Sequence, residues 1–292
     1  MRKGFLIHAY NNEELDYGTM ALCCALLIKK HLTINSTALV TSSDTIRWLL
    51  SQYDQKVVES AFDEVIVVDI ERNVGQRTFY DTRYTAKKQP YYNTNRVDSY
   101  VISPWDETIL LDADYLVLDS TFDLVWNSVE DIMVNKVVKD LNSTTISNIV
   151  DTRINEIGIP LYWATAIYFK KTPRIKSIFD VVSFVKDNYQ YYSYLYKLPP
   201  SAYFRNDYAF SIALHMVSGR FENDGIKSLP NPIMNISTEN DDFIEFKDGS
   251  AFFISEKEQG QFKLHKMMTN VHVMNKWSIT RMSKRIIDYA TS

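Results

Sequence analysis

Glycine and proline are scarce in this chain of 292 residues, which contains 8 of each. No Gly-x-Gly-x-x-Gly follows a strand-like segment, and no Gly-Lys-Ser or Gly-Lys-Thr loop is present. These absences exclude the usual dinucleotide-binding fingerprint and the phosphate loop of P-loop enzymes. No Pro- or Ser-rich linker divides the chain, so we expect one domain of ordinary globular composition.

Cysteine and long apolar runs are also scarce. Cys23 and Cys24 are the only cysteines, and they are adjacent in the apolar run 20–28. Adjacent residues on a helix point about 100° apart, so adjacent cysteines rarely form a disulfide. We therefore expect two buried thiols in a reducing compartment. No run approaches the roughly 20 apolar residues of a membrane span. The apolar run after Arg2 and Lys3 is too short for a signal peptide, so we expect a cytoplasmic protein.

Positive charge is limited overall, because the net charge is −4. The molecule as a whole is therefore no general binder of polyanions. One segment departs from this balance, since residues 257–285 carry a single acid, Glu258, among seven cations. It is either a solvated surface or a flap that faces phosphate. The cations are Lys257, Lys263, Lys266, Lys276, Arg281, Lys284 and Arg285.

Strand-like and helix-like segments alternate along the chain. The strand-like segments are residues 4–9, 37–41, 64–69, 108–112, 115–118, 162–170 and 271–273, of which 64–69 is expected to be buried on both faces. The helix-like segments are residues 15–31, 43–50, 96–100, 123–139, 175–189 and 204–217. This alternation predicts an α/β fold with a mostly parallel sheet and flanking helices. In such sheets, ligands bind beyond the carboxyl ends of the strands.

Two acids stand where the strand 108–112 ends. Alternate residues of an extended segment face the same side, so Asp112 and Asp114 can converge on one cation. Carboxylate oxygens suit Mg²⁺ or Mn²⁺, which in turn bridge phosphate oxygens. The other interpretation is a solvated turn in which the aspartates cap backbone amides.

The sequence Glu107–Asp119 resembles the Asp-x-Asp region of GT-A (Rossmann-like) glycosyltransferases. It is most similar to the retaining family that includes glycogenin and bacterial lipopolysaccharide galactosyltransferases. The resemblance implies that Asp112 and Asp114 hold Mn²⁺ or Mg²⁺ against the diphosphate of a nucleotide-sugar donor such as a UDP-sugar. It also implies that Ala113 lines the donor site.

Earlier segments add to the resemblance. The strand end His8-Ala9-Tyr10 is similar to the family's first strand, which implies a place beside the uracil and ribose. Lys87-Lys88 and the helix from Arg96 resemble the segment that closes on the nucleotide, so Lys88 and Arg96 are expected to meet phosphate. A solvated helix face is the alternative for this segment.

The late segment Val271–Trp277 resembles the family's His-x-x-x-Lys region. The resemblance implies that His272 is a third metal ligand and that Lys276 contacts the diphosphate. The alternative for His272 is a structural role, which is more common for a single histidine beside a strand. The segment lacks the family's glycine and proline. Arg205-Asn-Asp207 stands where the family has Asp-Gln-Asp, which makes Asp207 the catalytic candidate near the acceptor, and the family's Asn-x-Gly strand corresponds at best to Trp163–Ala166.

The predicted function is transfer of a sugar to a hydroxyl acceptor with retention of the anomeric configuration. Residues 1–119 are expected to form the nucleotide-binding half, and residues 120–292 the acceptor half with a carboxyl-terminal flap. The expected setting is a bacterial cytoplasm, or the host cytoplasm if the protein is phage-encoded. The acceptor is a saccharide, or a hydroxymethylated base of phage DNA if segment 257–285 and the tyrosines at 189–196 contact DNA. Those tyrosines also fit a half-buried or self-associating surface of a homo-oligomer. A nucleotidyltransferase, a nucleotide-sugar hydrolase and an inactive GT-A-fold binding protein remain as alternatives.

Overall fold

The computed structural model describes residues 1–69, 75–148, 152–155, 158–198, 204–218, 226–230, 234–258 and 260–292. The first part of the chain forms β1 (Lys3–Ala9), α1 (Tyr17–His31), β2 (Thr37–Thr41), α2 (Ser43–Gln52), α3 (Gln55–Ala61) and β3 (Glu64–Val67). The middle forms β4 (Gln76–Asp81), β5 (Thr85–Pro90), α4 (Ser99–Ile102), β6 (Glu107–Asp112), β7 (Tyr115–Leu116), β8 (Ile132–Asn135) and β9 (Trp163–Lys170). The last part forms α5 (Pro173–Asp187), α6 (Tyr189–Leu195), α7 (Asn206–Val217), β10 (Lys227–Ser228), β11 (Asn235–Ser237), β12 (Asp242–Lys247), β13 (Ser250–Glu258), β14 (Gln261–Met267), β15 (Val271–Val273) and α8 (Lys276–Thr291).

A seven-stranded sheet in the order β10-β8-β9-β6-β1-β2-β3 forms the centre of the described fold. Strands β6, β1, β2 and β3 are parallel, whereas β9 runs antiparallel to both β6 and β8. Apolar residues of α1 and α8 pack in one core cluster, and those of α5 and α7 pack in another. The predicted α/β fold with a mostly parallel sheet and flanking helices is therefore confirmed.

Helix α1 shows how the sequence builds this packing. The Asp16 side chain accepts a hydrogen bond from the Thr19 backbone N–H at 3.0 Å and caps the helix. Every residue from Gly18 to Ile28 is buried, which matches the uninterrupted apolar run. Cys23 and Cys24 are both buried and free, as predicted.

The predicted helix at 123–139 is wrong. Residues Thr121–Asn127 form 3₁₀ turns, and Ile132–Asn135 form strand β8, which pairs with β9. All four residues of β8 are buried in the sheet, so tertiary pairing overrides the local pattern.

The predicted burial of the segment 64–69 on both faces is also wrong. Strand β3 is the last strand at its end of the described sheet, and the side chains of Val65 and Val67 are exposed. The β-branched residues at this position therefore reflect strand propensity rather than a place in the core.

Three smaller sheets complete the described fold. Strand β15 lies between β11 and β7, β13 lies between β12 and β14, and β4 and β5 form a two-stranded hairpin. The sequence patterns predicted neither the hairpin nor the β12–β14 sheet. Both bear on the site, because the hairpin borders the cleft described below and β14 leads into the strand that carries His272.

Candidate active site

A cleft of about 830 Å³, open to solvent, lies at the carboxyl ends of β1 and β6. Most of the predicted site residues line the cleft although they come from distant parts of the chain. They are His8, Tyr10, Arg96, Asp112, Ala113, Asp114, Asp207, His272 and Lys276.

Two predicted donor-site residues, Ala9 and Lys88, do not line the cleft. Ala9 is buried in the core, and its carbonyl oxygen accepts a hydrogen bond from Thr41 Oγ1 at 2.7 Å. Lys88 lies on β5 opposite Thr78, and its side chain is exposed. Residues 85–90 form a strand, and its alternation places Lys88 on the face that points away from the protein body.

Asp112, Asp114 and His272 bring three ligand atoms to one point, all within 4.8 Å of one another. His272 Nε2 lies 3.2 Å from Asp114 Oδ1 and 3.6 Å from Asp112 Oδ2. Two hard carboxylate oxygens and one imidazole nitrogen form a donor set that Mg²⁺ or Mn²⁺ accepts. The chemistry and convergence of these side chains therefore fit the divalent cation that the sequence predicts.

A short sheet holds this cluster together. Strand β15 pairs antiparallel with β7, which begins directly after Asp114, and the Val273 backbone N–H donates to the Asp114 carbonyl oxygen at 2.9 Å. The buried side chain of Asn270 accepts from the Leu118 N–H at 2.9 Å and donates to Asp119 Oδ1 at 2.8 Å. These bonds fix the late segment against the strand end that carries the acids.

Each carboxylate is contacted by its own cation. Lys276 Nζ donates to Asp114 Oδ2, and Arg96 Nη1 donates to Asp112 Oδ1. The Arg96 side chain is 2% exposed, and its Nε and Nη2 have no hydrogen-bond partner in the described part of the chain. Because unpartnered buried donors are costly, Arg96 is suited to a further acceptor in the cleft.

The two acids differ in their protonation. Burial raises the pKa of Asp112 to about 6, although Arg96 opposes this shift, and the neighbouring charge of Asp114 adds to it. Burial also acts to raise the pKa of Asp114, but Lys276 and His272 outweigh it and hold that pKa well below its usual range. Asp114 is thus a permanent carboxylate, whereas Asp112 needs a cation to stay charged in mild acid.

His8 and Tyr10 form a polar network at the end of β1. His8 Nε2 lies 3.0 Å from Ser99 Oγ, and the Tyr10 hydroxyl donates to Asn95 Oδ1 at 3.0 Å. Burial, with the nearby charge of Arg96, lowers the pKa of His8 to about 3, so its imidazole is neutral. This network supplies uncharged donors and acceptors to one end of the cleft.

Asp207 lies in the first turn of α7 with both carboxylate oxygens engaged. Oδ1 accepts from the Ala164 backbone N–H at 2.8 Å, and Oδ2 accepts from Arg205 Nη2 at 2.9 Å. Burial acts to raise the pKa of Asp207, but Arg205 and the Ala164 N–H outweigh it, and the net shift is downward. Asp207 is therefore a charged, tightly held carboxylate and a weak base.

Sequence reasoning missed Arg77, which lies on β4 and lines the cleft. Its guanidinium lies 5.5 Å from the Phe79 ring centroid and 5.9 Å from that of Tyr91. The signal that marks this strand is the alternation of Arg77, Phe79 and Asp81, whose side chains turn toward the protein body.

The basic segment 257–285 is partly neutralised in its described part, which leaves out residue 259 and the side chains of 257 and 258, whereas Lys263, Lys266 and Lys284 are exposed. Lys276 is paired with Asp114, Arg285 lies 3.6 Å from Glu245, and Arg281 bonds to two aspartates. Exposed Tyr191 and Tyr194 lie outside the cleft.

The solved structures that this chain resembles in fold include glycosyltransferases. The structure of the galactosyltransferase LgtC with donor and acceptor sugar analogues matches 99% of this chain and 96% of that chain, at 12% identity and a TM-score of 0.53. Glycosyltransferase GlyE of Streptococcus pneumoniae TIGR4 matches 79% of this chain at 12% identity and a TM-score of 0.43, and the match spans 46% of GlyE. Mouse xyloside xylosyltransferase 1 matches 81% of this chain and 88% of that chain, at 11% identity and a TM-score of 0.46.

The likeness to LgtC shows that the chain has the GT-A fold. No protein-family model and no curated protein matches the sequence. Among the described residues, no helix has both the length and the apolar character that crossing a membrane requires.

Proposed function

We propose that this protein is a metal-dependent glycosyltransferase that moves a sugar from a nucleoside-diphosphate donor, most simply a UDP-sugar, to a hydroxyl acceptor. The observation that carries the proposal is the convergence of Asp112, Asp114 and His272 in an open cleft at the strand ends. Residues 1–119 would supply most of the nucleotide site, and residues 120–292 would supply His272, Lys276 and the acceptor side.

The charge of the cleft supports an anionic donor. Its lining carries three carboxylates and four cationic side chains, a net charge of one positive. A bound divalent cation would raise this to three positive, which a nucleoside diphosphate would largely neutralise. The charged groups are Asp112, Asp114 and Asp207, and Arg77, Arg96, Arg205 and Lys276.

Each residue has a role in this scheme. Asp112, Asp114 and His272 would hold the cation, which as a Lewis acid would offset the charge that grows on the departing nucleoside diphosphate. Lys276 keeps further N–H donors beyond its bond to Asp114, and these can bind a phosphate oxygen. Tyr10 and neutral His8 offer hydrogen bonds to the nucleoside.

We propose retention of anomeric configuration. Inversion would require a base that removes the acceptor proton, and Asp207 is the candidate for that role. Its depressed pKa and its two occupied oxygens make it a poor base and a good positioning group. With retention, a phosphate oxygen of the leaving group can take the proton instead, so no strong protein base is needed.

The acceptor we propose is a saccharide. The cleft wall near Asp207 is formed by Trp163, Ala164 and Thr165 at the start of β9, next to Arg205 and Asn206. A large aromatic ring beside several hydrogen-bonding groups suits the apolar face and the hydroxyls of a sugar.

A donor screen tests the proposal. UDP-sugars would be incubated with MnCl₂ or MgCl₂, and transfer to oligosaccharides and to hydroxymethylated duplex DNA would be measured in parallel. We expect sugar transfer that stops in excess EDTA and is restored by added metal. Transfer to DNA alone would reverse the acceptor assignment, and release of sugar without any transfer would favour a hydrolase.

An inactive GT-A-fold binding protein is the alternative from another class. The complete cluster of acids and histidine argues against it, since burying the charged Asp114–Lys276 pair beside Asp112 costs desolvation energy that a protein without a metal site has no reason to spend. Binding of UDP with no turnover of any donor in the screen would favour this alternative.

A further inference from the structure

Four cationic side chains line the cleft, and three of them have a carboxylate partner. Lys276 pairs with Asp114, Arg96 with Asp112, and Arg205 with Asp207. Arg77 has no carboxylate partner in the part of the chain that the structure describes. Arg77 is therefore the lining cation without a direct ion pair among the described residues, and its charge acts on Asp207 only at longer range.

Aromatic rings hold the Arg77 guanidinium in place. It lies 5.5 Å from the centroid of Phe79 and 5.9 Å from that of Tyr91. The Tyr91 hydroxyl in turn lies 3.1 Å from Asn206 Nδ2, which donates to it. Cation–π contact orients a guanidinium and leaves its N–H groups free at the rim of the planar group. Arg77 is therefore pre-positioned without the neutralisation that a carboxylate would cause.

The hairpin that carries Arg77 is attached to the metal-site segment. Asp81 accepts two hydrogen bonds from Arg281, at 2.8 and 3.0 Å, and one from Asn275 Nδ2 at 3.1 Å. Asn275 directly precedes Lys276, whose Nζ lies 5.9 Å from the centroid of the same Phe79 ring. Arg77 and Lys276 thus both lie near the Phe79 ring, and both line the cleft.

We propose that Arg77 is a donor-binding residue that contacts the diphosphate together with Lys276. The inference rests on the proposed function and adds a specificity-determining residue to it. A planar guanidinium can bind two phosphate oxygens at once, whereas Lys276 acts as a point charge. The hairpin β4–β5 thereby becomes one wall of the donor site.

The test measures binding of UDP, uridine, UDP-glucose and UDP-glucuronate to the full chain with MnCl₂, by isothermal titration calorimetry. For Arg77→Gln we expect UDP affinity to fall about 10- to 100-fold, the loss of one or more charge-assisted hydrogen bonds. Uridine affinity should not change. Arg77→Lys should recover part of the loss, because it keeps the charge without the planar fork.

Arg83→Gln is the matched control, since Arg83 lies in the turn of the same hairpin, is partly exposed and pairs with Glu256 outside the cleft. It should bind UDP as the wild type does. Wild-type affinity for UDP in Arg77→Gln would overturn the assignment while leaving the proposed function intact. A loss of affinity for UDP-glucuronate alone would also overturn it, because Arg77 would then contact the transferred sugar and not the diphosphate. Failure of the wild type to bind UDP would overturn both.

Discussion

His272 lies directly opposite Tyr115 in the antiparallel pairing of β15 with β7. This register places the imidazole beside Asp114, the residue before Tyr115, although the two segments are far apart in sequence. A slip of one residue would turn His272 to the other face of the short sheet and remove it from the acids. The proposed metal site therefore depends on the register of β7 and β15, which contain only two and three residues.

Asn270→Ala tests what fixes this register. The variant leaves the Leu118 and Asp119 N–H groups and the Asp119 carboxylate without their buried partner. We expect the free energy of unfolding to fall by about 1–3 kcal/mol, and Mn²⁺ affinity to fall as well. Urea denaturation and metal titration measure the two effects. Asn240→Ala, in an exposed turn, is the control, and wild-type metal affinity in Asn270→Ala would show that β15 is fixed by other contacts.

Substitution of His272 or Lys276 tests their place in the donor site. In His272→Ala and Lys276→Met, UDP affinity in the presence of Mn²⁺ should fall at least about tenfold, roughly one charge-assisted interaction. Thermal unfolding with Mn²⁺ present should show smaller changes in stability. Unchanged UDP affinity in both variants would assign the segment to a purely structural role.

The sequence predicted the acids better than the surfaces that surround them. Asp112 and Asp114 follow a buried strand, and that position favoured metal ligands over a solvated turn, because bare carboxylates are rare there. His272 and Lys276 were found through resemblance, since no local pattern shows that β15 pairs with β7. The sequence pattern did not predict Arg77, because the β4–β5 hairpin is held by contacts with α8 and its residues show no clear strand pattern. Lys88 belongs to the same hairpin but lies on its outward face.

Asp207→Asn tests the stereochemical proposal. If Asp207 positions groups and does not act as a base, transfer should fall by less than about 100-fold, below the usual range for loss of a general base. The product should keep the anomeric configuration of the donor, as read by ¹H NMR. Stability should also fall, by about 1–3 kcal/mol, because Arg205 loses a charged partner. An inverted product from the wild type would make Asp207 the base and sink the retaining mechanism.

The pH dependence of metal binding follows from the raised pKa of Asp112. Protons and metal compete for this carboxyl, so the apparent Mn²⁺ affinity should weaken as the pH falls through about 6. An aspartate with an ordinary pKa would show this loss about two pH units lower. The dependence should persist in His272→Gln, and its disappearance there would assign it to the imidazole.

Electron paramagnetic resonance of Mn²⁺ tests the central claim, that Asp112, Asp114 and His272 hold a divalent cation against a nucleoside diphosphate. The signal of free Mn²⁺ would be titrated with wild type, Asp114→Asn and the exposed control Asp44→Asn, each with and without UDP. We predict one Mn²⁺ bound per wild-type chain, with affinity raised by UDP, unchanged behaviour in Asp44→Asn, and loss of binding in Asp114→Asn. Equal Mn²⁺ binding by wild type and Asp114→Asn in the presence of UDP would contradict the account.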